Sequence, residues 1–201
     1  MAAIGMRHLV GAPWAPAEQQ TEGALPKYGN GLKIGRAISA NITFRRNDTD
    51  LYADDVLAES DNTITGGDID MTVAEILDEV AMVIFGDKKE GEGDEAEYHD
   101  SDQSTPYIGM GYMREMRYKG KSTFRATWLY KVQLATAEEA AQTKGENTAY
   151  QTQRMTGEIM GITMEDGATR FRAWQTFDTA AKAVAWLNKK AGYTETAAAA
   201  Q

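Results

Sequence analysis

Residues 107–134 constrain this chain more than any other stretch. Tyr107–Tyr118 and Ser122–Leu134 carry large apolar side chains in alternation with polar ones, and only Lys119-Gly120-Lys121 separates them, which reads as a long β-hairpin. A three-residue loop pairs Met116 with Phe124, Tyr112 with Trp128, Met110 with Tyr130 and Ile108 with Val132, and sets Glu115 opposite Arg125 on the other face. A two-residue loop puts Arg114 against Arg125 and mixes apolar with polar throughout. Because a slip of one residue turns every side chain to the other face, the pattern predicts the three-residue register.

The flanking segments continue in kind. Ala37–Phe44 alternates Ile38, Ala40, Ile42 and Phe44 with Ser39, Asn41 and Thr43, and a shorter strand sets Ile69, Met71 and Val73 against Asp68, Asp70 and Thr72. Thr72 with Glu75 reads as a capping box for a helix whose Ile76, Val80, Val83 and Ile84 share a face and which Gly86 ends. Ala149–Ile162 and Arg170–Phe177 read as further strands. Asp178 is expected to cap a helix with a stripe of Ala180, Val184, Leu187 and Ala191, closed by Gly192. The expected fold is mainly β, a sandwich or barrel with one or two flanking helices, in one domain over 1–192. The tail 193–201 has nothing to bury and is expected to fray.

At 201 residues the chain is long enough to bury roughly 70% of its unfolded surface without a staple. It has no Cys and two His, which excludes disulfides, Cys-ligated metal and a thiol nucleophile, and leaves little for a His-based site. The net charge of −9 argues against a duplex-DNA or anionic-membrane binder. No apolar run approaches the ~20 residues of a membrane span, and no signal-peptide core follows Arg7 and His8, so the expected compartment is the cytoplasm.

The charge is unevenly placed. Residues 87–106 hold eight acids and two Lys, which leaves −3 for the rest of the chain, and read as a solvated, mobile acidic loop. Residues 48–61 differ: six acids and no base interleave with Leu51, Tyr52, Val56 and Leu57. A purely solvating loop seldom spends such side chains, so something must cover them.

Motifs of chemistry find little context. Asp68-Ile-Asp70-Met-Thr72 matches the DxDxT string of haloacid-dehalogenase-type phosphatases, but begins a strand after a Gly-Gly turn instead of ending a buried parallel one. Asp48, Asp50, Asp54 and Glu59 fall at EF-hand spacing, yet Ala53 stands where the loop needs Gly. Gly109-Met-Gly111 lacks the third glycine of a phosphate cradle. Carboxylates are plentiful enough for a two-carboxylate glycosidase, but nothing in the sequence places a pair in an apolar pocket that would raise one pKa. No catalytic residue, cofactor or metal is expected.

Several stretches together resemble one family. They are Ile4–Leu9, Gly35–Ile42, Leu51–Ser60, Tyr107–Tyr112, Ala126–Lys131, Thr143–Glu146, Thr176–Thr179 and Ala185–Asn188, in order over residues 3–192. In this respect the chain is similar to the major tail proteins of long-tailed bacteriophages (siphophages), with Leu51–Ser60 and the Ala-Trp-Leu-Asn ending the most specific. The resemblance does not extend to 87–106. It implies the tube-protein β-sandwich or barrel shared with contractile-tail and type VI secretion tubes. It further implies a homohexameric ring that stacks into a tail tube, a virion location after assembly in the host cytoplasm, and no enzymatic activity. The implied partners are further copies of the chain and tape-measure, tail-terminator and tail-tip proteins, with viral double-stranded DNA passing through the lumen without specific binding. The segment 48–61 is then the natural inter-subunit loop. Its candidate contact residues are Leu51, Tyr52, Asp54, Asp55, Val56, Leu57 and Glu59, with Arg45 and Arg46 expected to pair with its acids. The alternative is a monomeric β-sandwich acting as a binding module or a carboxylate-based hydrolase.

Overall fold

The computed structural model describes residues 2–53, 56–100, 104–138 and 152–194. Along them run β1 (Ala2–Pro13), β2 (Leu32–Gly35), β3 (Ala37–Ala53), β4 (Val56–Val73), α1 (Asp78–Ile84), β5 (Lys88–Glu90), β6 (Glu97–His99), β7 (Tyr107–Tyr118), β8 (Lys121–Glu138), β9 (Gln153–Met160), β10 (Ile162–Thr163), β11 (Thr169–Arg170), β12 (Arg172–Phe177) and α2 (Ala180–Ala191). The fold is mainly β with two α-helices. Its main sheet is ordered β2-β1-β7-β8-β9-β4-β3, and β12 also pairs with β8. All these pairings are antiparallel.

The two ends of this path are β2 and β3, and Arg36 alone separates them in sequence. Laid flat, seven strands at ~4.8 Å spacing would hold the ends about 29 Å apart, a gap no single residue spans. The sheet therefore curls until its ends meet. Ala74 N–H donates to the Arg36 carbonyl at 2.9 Å, carrying the β3–β4 ladder on to this junction. Inside the curl Leu9, Ile34, Ile69, Met71, Val73, Ile108, Met110, Leu129, Leu134, Met155 and Ile159 form one core, which Val80 and Ile84 of α1 join. A second core lies on the outer face, where Ala183, Leu187 and Ala191 of α2 cover Val10, Met113, Ala126 and Trp128.

That second core explains a correction to the hairpin. Lys119 and Gly120 both have positive φ, 48° and 79°, so the turn has two residues and sets Arg114 opposite Arg125, Tyr112 opposite Thr127 and Gly111 opposite Trp128. The three-residue register rested on one buried face. Here Ile108–Met113 and Ala126–Tyr130 are buried without interruption, so alternation carries no information there. What selects the register is Trp128. A Cβ on Gly111 would lie 2.6 Å from the indole and 2.7 Å from Leu187, and a Cβ on Gly109 would overlap Trp128 and Tyr28. The Gly-Met-Gly string is thus the bed of a buried tryptophan. A bulge between Ile108 and Met110 then restores the expected Ile108–Val132 pair. The two like charges separate: Arg125 donates to Thr176 Oγ1 at 3.5 Å, and Arg114 stacks 5.8 Å from the Tyr112 ring centroid.

Three further expectations change. Thr72 caps no helix, because its backbone is held in β4 between Ser39 and Arg154; α1 starts after Leu77 without a side-chain cap. The cap of α2 is Thr179, whose Oγ1 accepts from Lys182 N–H at 3.4 Å, while the Asp178 carboxylate takes Lys182 Nζ at 3.0 Å. The acidic segment 87–106 is not loop throughout: β5 and β6 pair as a separate, fully exposed hairpin, with 101–103 outside the described residues. Its base is narrow, since a Cβ on Gly86 would stand 3.2 Å from Pro106, and Gln133 holds the returning chain at Ser104 (2.8 Å) and Thr105 (2.7 Å). Replacing 88–99 by a short Gly/Ser linker is expected to shift the melting temperature by only a few degrees, because closure entropy depends weakly on length. Differential scanning calorimetry would check it, and a collapse of the transition would show hidden packing.

Candidate assembly surface

β4 pairs with β9 only from Gly67 to Val73, yet its pairing with β3 continues through Arg46–Ile64, Leu51–Glu59 and Tyr52–Leu57 to Ala53–Val56. Beyond Arg45 and Gly66 the two strands pair, among the described residues, only with each other. This corrects the reading of 48–61 as a loop: its described residues, 48–53 and 56–61, are the distal part of a two-stranded arm. At ~3.3 Å per residue, Arg46–Ala53 extends about 26 Å past the last β9 pairing. An isolated two-stranded ribbon is marginal in water, which makes an arm this long a surface in need of a partner. β3 is also an end of the sheet path, and Ile38 on it is 56% exposed. A long open edge is an invitation to pair or pack against another chain.

The candidate contact residues distribute as follows. Leu51, Tyr52, Val56, Leu57 and Glu59 lie in the paired strands of the arm, with Tyr52 directly across from Leu57 and Leu51 across from Glu59. Asp54 and Asp55 lie outside the described residues, as does the Thr143–Glu146 stretch. Arg45 and Arg46 are engaged within the subunit in a way the sequence did not suggest. Arg45 sits at the root of the arm, bonded to Glu158 of β9 and 3.6 Å from Asp68. Arg46 donates to the Asn62 carboxamide at 2.8 Å, across the arm itself.

Arg45 belongs to a polar ladder over the outward face of β3, β4 and β9. Arg154 Nε and Nη2 donate to Asp70 Oδ1 at 3.0 Å and Oδ2 at 2.6 Å. Asn41, Thr43, Thr156 and Gln133 complete a shallow hollow of about 600 Å³. The DxDxT acids are therefore solvent-facing strand residues matched by cross-strand arginines, while Ile69, Met71 and Val73 point into the core. Arg154 and Glu158 were invisible to sequence reasoning, because cross-strand partners are fixed by register and not by spacing.

The Arg154 guanidinium holds Asp70 below the usual carboxylate range. A carboxylate with a lowered folded pKa stabilises above its unfolded pKa and loses that contribution as pH falls through the folded value, here below about pH 4. Both side chains are exposed, so the effect is small. Between pH 5 and pH 3 the urea midpoint of wild type is expected to fall further than that of Asp70→Asn; equal falls would show that the pair contributes nothing.

Among the described residues no group of His, Asp or Glu is arranged to hold a metal ion, and no helix is long and apolar enough to cross a membrane. Compared with known proteins, the chain matches no protein-family model and no curated protein.

Proposed function

We propose that this protein is a self-assembling structural subunit that forms stacked homohexameric rings, the tail tube through which a long-tailed phage ejects its DNA. The observation that carries the reading is the two-stranded arm, which leaves the body of the subunit with an acidic, leucine-bearing sequence and, among the described residues, no third strand beside it. The ordered resemblance over residues 3–192 supplies the kind of assembly. A head-to-tail contact closes into a ring when its rotation divides a full turn, and a second contact along the axis repeats the ring into a tube.

Negative-stain microscopy of the concentrated, purified chain tests it. Rings or tubes of uniform diameter are expected. Uniform small particles at every concentration would overturn the reading and favour a monomeric binding module or hydrolase.

The net charge of −9 leaves no basic excess to track phosphates, and Arg45 and Arg154 are already matched to acids. Assembled tubes are therefore expected to shift linear duplex DNA no more than a background protein does at low salt. Micromolar, salt-sensitive binding to the lumen would count against a passive conduit.

A further inference from the structure

A groove opens beside the second core, the one that α2 covers. One wall is the segment between β1 and β2, residues 14–31, which is stitched into a closed strap. Ala15 N–H donates to Lys27 O at 3.0 Å and Gly29 N–H to Pro13 O at 2.8 Å. The Gln20 carboxamide donates to Ala15 O (3.0 Å) and Lys27 O (2.8 Å) and accepts from Lys27 N–H (3.1 Å). The floor is aromatic: the Tyr28 hydroxyl donates to Tyr130 O at 2.8 Å and accepts from Trp128 Nε1 at 3.1 Å. The other wall is the last turns of α2, with Trp186, Lys189 and Lys190. Between the walls lies a hollow of about 410 Å³, with Leu25 at its rim 41% exposed. Lys190 Nζ lies 5.5 Å from the Trp186 ring centroid, and among the described residues neither lysine has a carboxylate partner.

We propose that this groove receives the β3–β4 arm of a second copy of the chain, an inference that rests on the self-assembly reading above. The chemistry matches on both counts. The groove offers apolar and aromatic surface with two unmatched cations at its edge. The arm sequence offers Leu51, Tyr52, Val56 and Leu57 among six acids and no base. Desolvating the apolar groups supplies affinity, and the acid–lysine pairs set orientation and weaken with salt. Arm and groove are different surfaces, so each subunit gives one and receives one. That is a heterologous contact, the type that builds rings and filaments instead of closed dimers. The chief competing receptor is the exposed Trp174 on β12, but its neighbour Arg172 is already stacked within the subunit, 5.2 Å from Trp174 and 4.6 Å from Phe44.

The absence of Cys makes the test clean. Ala53→Cys and Leu25→Cys, on separate molecules, are mixed under assembling conditions and oxidised. A disulfide forms only when the two Cα atoms come within ~7 Å, so a mixed covalent dimer well above the yield of either variant alone is expected. In parallel, Lys189→Glu with Lys190→Glu is expected to lower assembly at least tenfold while circular dichroism stays unchanged, and Asp54→Lys with Asp55→Lys in the same chain is expected to restore it. Tubes that cross-link Ala53→Cys to Trp174→Cys and not to Leu25→Cys would overturn the groove as receptor and leave the tube reading standing. An internal disulfide of monomer mass in a chain with both Ala53→Cys and Leu25→Cys would overturn the second copy as occupant. No assembly by the wild-type chain under any condition would remove the self-assembly reading and this inference with it.

Discussion

Leu51→Asp combined with Leu57→Asp is expected to yield a folded monomer that forms no rings or tubes. Both positions lie in the arm, beyond the last pairing of β4 with β9. The melting transition should therefore stay within a degree or two of wild type. Burial of a leucine on a partner is worth roughly 1.5–3 kcal/mol, and each subunit loses two such groups on the arm it gives and two on the arm it receives. Burying carboxylates in their place adds a desolvation penalty. A polymer multiplies the deficit over every contact. Sedimentation velocity should show one monomeric species at concentrations where wild type polymerises. Normal tubes from this variant would remove the arm from the interface.

The largest effect on stability is expected at Trp128→Ala. Trp128 is fully buried, lies over Gly111 and donates its indole N–H to the Tyr28 hydroxyl. Deleting a buried aromatic of this size costs about 3–5 kcal/mol, and no neighbour can fill the space because the opposing strand presents glycines at 109 and 111. The Tyr28 hydroxyl also loses its donor. Against a total stability of ~5–15 kcal/mol, that removes a large fraction. Urea denaturation would measure it. A loss below about 1 kcal/mol would show that the hairpin register does not depend on this residue.

What could be read from the sequence was whatever one buried face dictates. Ile69, Met71 and Val73 alternate with exposed acids because one side of β4 is core and the other is water. The stripe of α2 and its terminal Gly192, which sits in the left-handed region, were legible for the same reason. Legibility failed where that premise did. In the middle of β7 and β8 both faces are covered, so the hydrophobic pattern favoured the wrong turn, and the informative pair was a glycine opposite a tryptophan. In the arm β4 has left β9 and, among the described residues, runs beside β3 alone, so two strands rich in acids looked like a loop. The groove drew on Leu25, Tyr28, Trp128 and Trp186, which no local pattern connects. Lys189 and Lys190 had a sufficient local explanation as cations at a helix C-terminus.

The position of α2 late in the chain sets an order of events during synthesis. At 5–20 residues per second, the ribosome completes β3 and β4 on the order of ten seconds before it completes α2. In the later part of that interval, once they have been made, Met113, Ala126 and Trp128 lack the Ala183–Leu187–Ala191 cover that buries them in the finished subunit. A nascent chain thus displays its arm while its outer core is still unfinished. Truncated products would keep the arm but never gain the helix, and in the proposed assembly they would cap a growing end without offering the next subunit a complete body. Pressure against premature termination, or a chaperone that shields the uncovered strands, would follow from the sequence order of these elements alone.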